Sequence, residues 1–147
     1  MAEINKLYII FDCSGSMSEY GRRAVIKNAF MAVRQRYPRV EMYRWSDAIE
    51  SIEKAKDIVT RGSVNFKAFT EFINKLDGDT SVLLVSDGCW STKDTEYICS
   101  AIECSAIYTC SLGQDANLAT LSKVQTIGKN VFRMVDFPMA IEHLLRK

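Results

Sequence analysis

Histidine is almost missing from this sequence: His143 is the only one in 147 residues. The five cysteines, Cys13, Cys89, Cys99, Cys104 and Cys110, show no C-x-x-C spacing. A tetrahedral thiolate–imidazole zinc site therefore has no ligand framework. An odd count of unspaced cysteines reads instead as reduced thiols of a cytosolic protein, several of them buried as small hydrophobes. His143 falls in a helical pattern near the C-terminus and reads as a surface residue. Long apolar runs are also missing. The longest are about five residues, against the ~20 of a membrane helix. Residues 1–6 lack a basic stretch followed by an apolar one, so no signal peptide is expected. Charge of either sign is not in excess, with 19 basic against 18 acidic residues and a net +1. That balance leaves no electrostatic footprint for nucleic acid or an anionic membrane. The one basic cluster, Arg22, Arg23, Lys27, Arg34, Arg36 and Arg39, reads as a solvated helix face, without interleaved aromatics on which bases would stack. Only two prolines and seven glycines interrupt the chain, and there is no repeat or low-complexity linker. One domain over 1–147 is expected, large enough to bury a core without staples.

What is present is an alternation of strand and helix patterns. Residues 7–11 (LYIIF) and 81–85 (SVLLV) are apolar throughout or nearly so, as strands buried on both faces are. Residues 40–45 alternate like a strand, with 48–53 a short partner. Residues 106–112 and 131–135 complete the strands. Between them, 20–37 carries Val25, Ala29, Val33 and Tyr37 at helical spacing, and Pro38 stops it. Asn65 is a candidate N-cap for a helix to residue 76 striped by Phe66, Phe69, Phe72, Ile73 and Leu76. Residues 92–102, 117–127 (ended by Gly128) and 137–145 are the other helices. This alternation implies an α/β fold: a doubly wound, Rossmann-like, mostly parallel sheet with helices on both faces. In such sheets ligands bind outside the carboxyl ends of the strands, where the strand order reverses.

The loops after the two most apolar strands carry the chemistry. The first reads Asp12-Cys13-Ser14-Gly15-Ser16, a carboxylate and two hydroxyls at alternate positions. The second reads Ser86-Asp87-Gly88. Weakly charged, all-oxygen donors suit a hard cation such as Mg²⁺ (or Mn²⁺ or Ca²⁺), so Asp12, Ser14, Ser16 and Asp87 are candidate metal ligands. The competing reading makes Ser-Gly-Ser a helix-initiating turn and both aspartates caps.

The DCSGSM segment resembles the metal-ion-dependent adhesion site (MIDAS) of von Willebrand factor A (VWA) domains, whose signature is D-x-S-x-S after the first strand. Trp45-Ser46-Asp47, Leu83 to Gly88 (LLVSDG) and Ser111-Leu112-Gly113 resemble the family's other strand ends, so the likeness runs over essentially the whole chain. The resemblance implies a six-stranded sheet ordered 3-2-1-4-5-6 with the third strand antiparallel. It also implies a non-enzymatic, cytoplasmic protein-binding module. Its cation, retaining an open or water-filled position, would ligate an Asp or Glu of a partner protein. Single-domain relatives of this kind serve as accessory subunits of ATPases or stress systems. One departure stands out. The family supplies a threonine ligand from a G-G-T-x-F-like loop, and here that loop reads Arg61-Gly62-Ser63-Val64-Asn65-Phe66. Either Ser63 supplies the hydroxyl or Val64, of threonine's shape without its oxygen, stands in its place and weakens the site.

Tyr20 and Trp90 flank the two loops as candidate rim contacts for a partner or as packing over the helix starts. Cys13 and Cys89 read as packing residues. Two rival functions remain. A scaffold with a degenerate metal site would explain Val64. An Mg²⁺-dependent phosphohydrolase or phosphorelay domain would use Asp12 as nucleophile, yet such phosphatases need an acid two residues on, where this chain has Ser14.

Overall fold

The computed structural model describes residues 6–19, 21–103, 106–128 and 130–146. Six strands form one sheet: β1 (Lys6–Asp12), β2 (Glu41–Trp45), β3 (Ile49–Ser51), β4 (Thr80–Ser86), β5 (Ala106–Ser111) and β6 (Phe132–Arg133). Their order is β3-β2-β1-β4-β5-β6, with β3 antiparallel to β2 and every other pairing parallel. Among the described residues, α1 (Arg22–Arg36), α2 (Phe66–Asn74), α3 (Thr92–Ala101) and α4 (Leu118–Val124) lie between strands, and α5 (Phe137–Arg146) follows β6. The sheet order and the antiparallel third strand are those implied by the sequence resemblance.

The apolar runs of β1 and β4 are explained by a core on each face of the sheet. Alternate side chains of a strand point to opposite faces. Ile9, Phe11, Leu83 and Val85 pack with Ile26, Phe30 and Val33 of α1 and Ala140, Ile141 and Leu144 of α5. Ile10, Val82 and Leu84 pack on the other face with Phe69 and Ile73 of α2, Ile98 of α3 and Val124 of α4. No described helix is long and apolar enough to cross a membrane.

Helix starts follow the capping chemistry of the sequence. Asn65, Ser91 and Asn117 each accept a backbone N–H three residues on, capping α2, α3 and α4. Four of the boundaries that differ from those expected have a cause in the structure. First, α1 starts at Arg22, after a 3₁₀ turn at Gly15–Ser18 and a left-handed Gly21 (φ 74°). Its buried stripe runs Arg22–Ile26–Phe30–Val33, and Val25 faces outward. Second, α4 ends at Val124 and not near Gly128. The Gln125 side chain takes over from the helical ladder, accepting the Thr109 N–H and donating to the carbonyls of Ile127 and Asn130. Third, β3 stops at Ser51, and residues 54–57 turn under Asp57, whose carboxylate accepts the backbone N–H groups of Glu53 and Lys54. Fourth, β6 is two residues long, because it pairs only with the end of β5 before a 3₁₀ turn leads into α5.

Candidate metal centre

β1 and β4 are neighbours in the sheet and end level with each other, Phe11 paired with Val85. Asp12 and Ser86 therefore leave the sheet side by side. Asp12 is fully buried. Its carboxylate accepts the Ser14 backbone N–H at 2.9 Å and the Ser86 hydroxyl at 2.7 Å. The Ser86 oxygen in turn accepts the Gly88 N–H at 3.0 Å, tying the first loop to the second. Burial pushes the Asp12 carboxyl above the usual carboxylate range. The Ser86 and Ser14 hydrogen bonds pull it down, and the charge of Asp87 pushes it up again. A buried carboxylate facing a second one calls for a positive partner.

The hydroxyls are placed to accompany one. Ser14 Oγ and Ser16 Oγ lie 3.2 Å apart. Two adjacent oxygens of an octahedral Mg²⁺ shell, each about 2.1 Å from the ion, lie about 3.0 Å apart. The Ser14 and Ser16 hydroxyls are thus spaced as two adjacent ligands of a hard cation would be, with the Asp12 carboxylate beside Ser14. No group of three or more His, Cys, Asp and Glu side chains that could hold a metal occurs among the described residues, so such a centre depends on the hydroxyls.

Asp87 is nearly fully buried and more committed. One of its oxygens accepts the Cys89 N–H at 3.0 Å and the other accepts Arg22 Nη1 at 3.3 Å. This arginine corrects the sequence reading of a solvated basic face. Arg22 is 4% exposed at the N-terminus of α1. It also donates to the Ser16 carbonyl at 3.1 Å and forms an ion pair with Asp115 on the β5–α4 loop. Gly113 makes room for it: a Cβ there would stand 2.7 Å from Arg22 Nη2. The signal was present in the sequence only as Ser111-Leu112-Gly113 at a strand end, with nothing to pair it with Arg22.

The loop carrying Ser63 is laced to the first metal loop. Gly15 donates to the Gly62 carbonyl at 2.8 Å, and Arg61 donates to the Cys13 carbonyl at 3.0 Å. Ser63 is exposed beside this seam, while Val64 is half-buried against the second core with Phe66 and Trp90. Trp90 packs edge-on against Trp45 and Phe66, with ring centroids 5.8 and 5.7 Å away. It is half-buried and belongs to the packing over the helix starts. Tyr20, the other rim candidate, and Cys104 lie outside the described residues. Cys13 is buried, its thiol pushed up to about 12 by burial and by Asp12. Cys89, expected to pack, is exposed. Beside the centre, Arg22, Leu112, Gly113, Asp115, Leu118 and Arg133 help line an open cleft of about 940 Å³.

No protein-family model and no curated protein sequence matches the chain. Solved structures do. A von Willebrand factor type A protein from Catenulispora acidiphila superposes with a TM-score of 0.71 at 14% identity, over 99% of this chain and 42% of that one. The conserved hypothetical protein BatB from Bacteroides thetaiotaomicron gives 0.64 at 12% identity, over 95% of this chain and 97% of that one. Proximal thread matrix protein 1 of the mussel byssus, solved with a zinc-occupied MIDAS motif, gives 0.58 at 13% identity, over 99% and 46% of the two chains. The chain spans less than half of the Catenulispora and mussel proteins and nearly all of BatB. From its first strand to its last helix, the chain has the von Willebrand factor A-type fold.

Proposed function

We propose that this chain is a metal-dependent protein-binding module, with Asp12, Ser14 and Ser16 holding Mg²⁺ (or Mn²⁺ or Ca²⁺) at the carboxyl ends of β1 and β4. The observation that carries the reading is the meeting of one fully buried carboxylate and two hydroxyls 3.2 Å apart at a rim where the fold leaves ligands room. A zinc-occupied MIDAS in a protein of the same fold supports it. The cation supplies a Lewis-acidic docking point for an Asp or Glu carboxylate of a partner protein. Asp12 contributes the charge at the centre. Ser86 and the Ser14 N–H fix its carboxylate so that it does not swing away. Asp87 sits behind the centre paired with Arg22, and Ser63 offers an exposed hydroxyl on the adjoining loop. We assign the chain no catalysis, a cytoplasmic location and an accessory role, such as to an ATPase or stress system.

The test is calorimetric titration of Mg²⁺ and Mn²⁺ into the wild type and into Asp12→Ala, with circular dichroism to confirm folding. Loss of binding in a folded Asp12→Ala is expected, and unchanged affinity ends the metal reading. A second reading, a scaffold with a degenerate centre, rests on Val64, which is half-buried in the apolar cluster and occupies the family's threonine position in one of the two alignments of this loop. Partner capture that ignores both a chelator and the Asp12 substitution would establish it. Phosphatase turnover lost on Asp12→Asn would instead make the chain an enzyme.

A further inference from the structure

The geometry points to Arg22 as a built-in cation that weakens the hold of this centre on its metal while keeping that metal hungry for an outside carboxylate. The inference rests on the metal-dependent docking proposed above and concerns this chain's own arginine. Three observations place it. Arg22 is buried and donates both to the Asp87 carboxylate and to the carbonyl of Ser16, itself a candidate ligand residue. Its guanidinium lies against the bare α-carbon of Gly113, in a space that any side chain there would fill. Asp115 holds its far end from the solvent side, 62% exposed.

The consequence is one of charge. Asp12 and Asp87 alone would neutralise a divalent ion. Arg22 cancels Asp87 within the buried part of the site, where charges are least screened. Asp115 offsets Arg22 only in part, because its side chain is 62% exposed and screened by water. Arg22 therefore leaves a net positive charge on the loaded centre, which lowers affinity for the ion and raises affinity for an incoming carboxylate. Its contact with the Ser16 carbonyl also fixes the backbone that carries the Ser16 hydroxyl.

The sign of this effect separates it from a structural role. In Arg22→Gln, which keeps polar donors without charge, Mn²⁺ alone should bind roughly tenfold tighter by calorimetry. Acetate should displace water from that bound Mn²⁺ less readily, read as a smaller drop in water-proton relaxation. Asp115→Asn, on the exposed end of the pair, should move both readings the opposite way by a few-fold. A folded Arg22→Gln with equal or weaker Mn²⁺ binding overturns the inference while leaving the docking function intact. If Arg22→Gln fails to fold, Asp115→Asn decides, and unchanged Mn²⁺ affinity in it overturns the inference. If the wild type binds no Mn²⁺ and Arg22→Gln does, the role of Arg22 stands and docking by the native chain fails. If neither binds, both fall.

Discussion

Asp12→Asn should stabilise the metal-free protein and abolish its response to metal. The wild-type carboxylate is fully buried and accepts two hydrogen bonds, from the Ser14 N–H and the Ser86 hydroxyl. An asparagine carbonyl keeps the first. Its amide meets the Ser86 oxygen, whose hydroxyl proton can turn away. Losing the charge assistance on two bonds costs about 1 kcal/mol each. Against this stands the burial of an anion, several kcal/mol after relaxation, together with the repulsion of Asp87. The second term is larger, so the variant should gain about 1–2 kcal/mol, or roughly 3–6 °C in Tm for a chain of this size. Adding Mg²⁺ at about a hundred times its dissociation constant should then stabilise the wild type by about 2.7 kcal/mol and the variant not at all. The order of the two melting temperatures should therefore reverse between chelator and saturating Mg²⁺, as thermal denaturation followed by circular dichroism would show. A variant more than about 1 kcal/mol less stable than the wild type in chelator would refute the reasoning, since Asp12 would then be a structural carboxylate that the apo fold needs.

Three further outcomes are expected. If Ser63 supplies a ligand, Ser63→Ala should weaken Mn²⁺ binding about tenfold or more, whereas Val64→Thr should tighten it if Val64 occupies the ligand position; calorimetry showing no change in either would remove this loop from the centre. Trp90→Ala should lower folding stability by about 1–3 kcal/mol, from two edge-to-face contacts of about 0.5–1.5 kcal/mol each. Denaturant unfolding would measure it, and unchanged stability with lost partner binding would return Trp90 to the rim. The Glu142 carboxyl is held below its ordinary value first by the Tyr37 hydroxyl, then by Arg146 and Arg36. The folded state thus binds its proton less readily than the unfolded chain, and its contribution is present at neutral pH and lost as the pH falls through the folded value. Glu142→Gln should flatten that part of the acid limb of a stability–pH curve, and an unaltered limb would contradict the assignment.

The central sheet was legible because its strands are buried on both faces, which leaves an unbroken apolar run that no surface strand would carry. Residues 7–11 and 81–85 showed this, and they became the adjacent β1 and β4. The cap at Asn65 was legible because a short polar side chain answers a local need of the helix start. The ends that were misplaced depend on distant partners. Gln125 stops α4 through Thr109, sixteen residues away on β5, which no local pattern shows. The two-residue β6 is set by how far β5 extends beside it.

The site divides in the same way. Asp12, Ser14 and Ser16 lie within five residues at the end of one strand, and together with Asp87 at a matching strand end their spacing makes them candidate ligands. Arg22 was hidden by its company. Five other basic residues between positions 23 and 39 made it look like part of a solvated face, and helical periodicity counted from Val25 put the first two positions of the buried stripe one residue early. With Ile26, Phe30 and Val33 as the true stripe, Arg22 stands one turn before Ile26 on the buried side, aimed at the carboxyl end of the sheet. A buried arginine there needs acidic partners, and the two that take it come from the β4–α3 and β5–α4 loops, 65 and 93 residues downstream. Asp87 was thus read for its spacing to a metal, whereas its fixed partner in the fold is an arginine. On the proposal that this centre holds a cation, the charge at position 22 sets the balance between affinity for the ion and affinity for the partner.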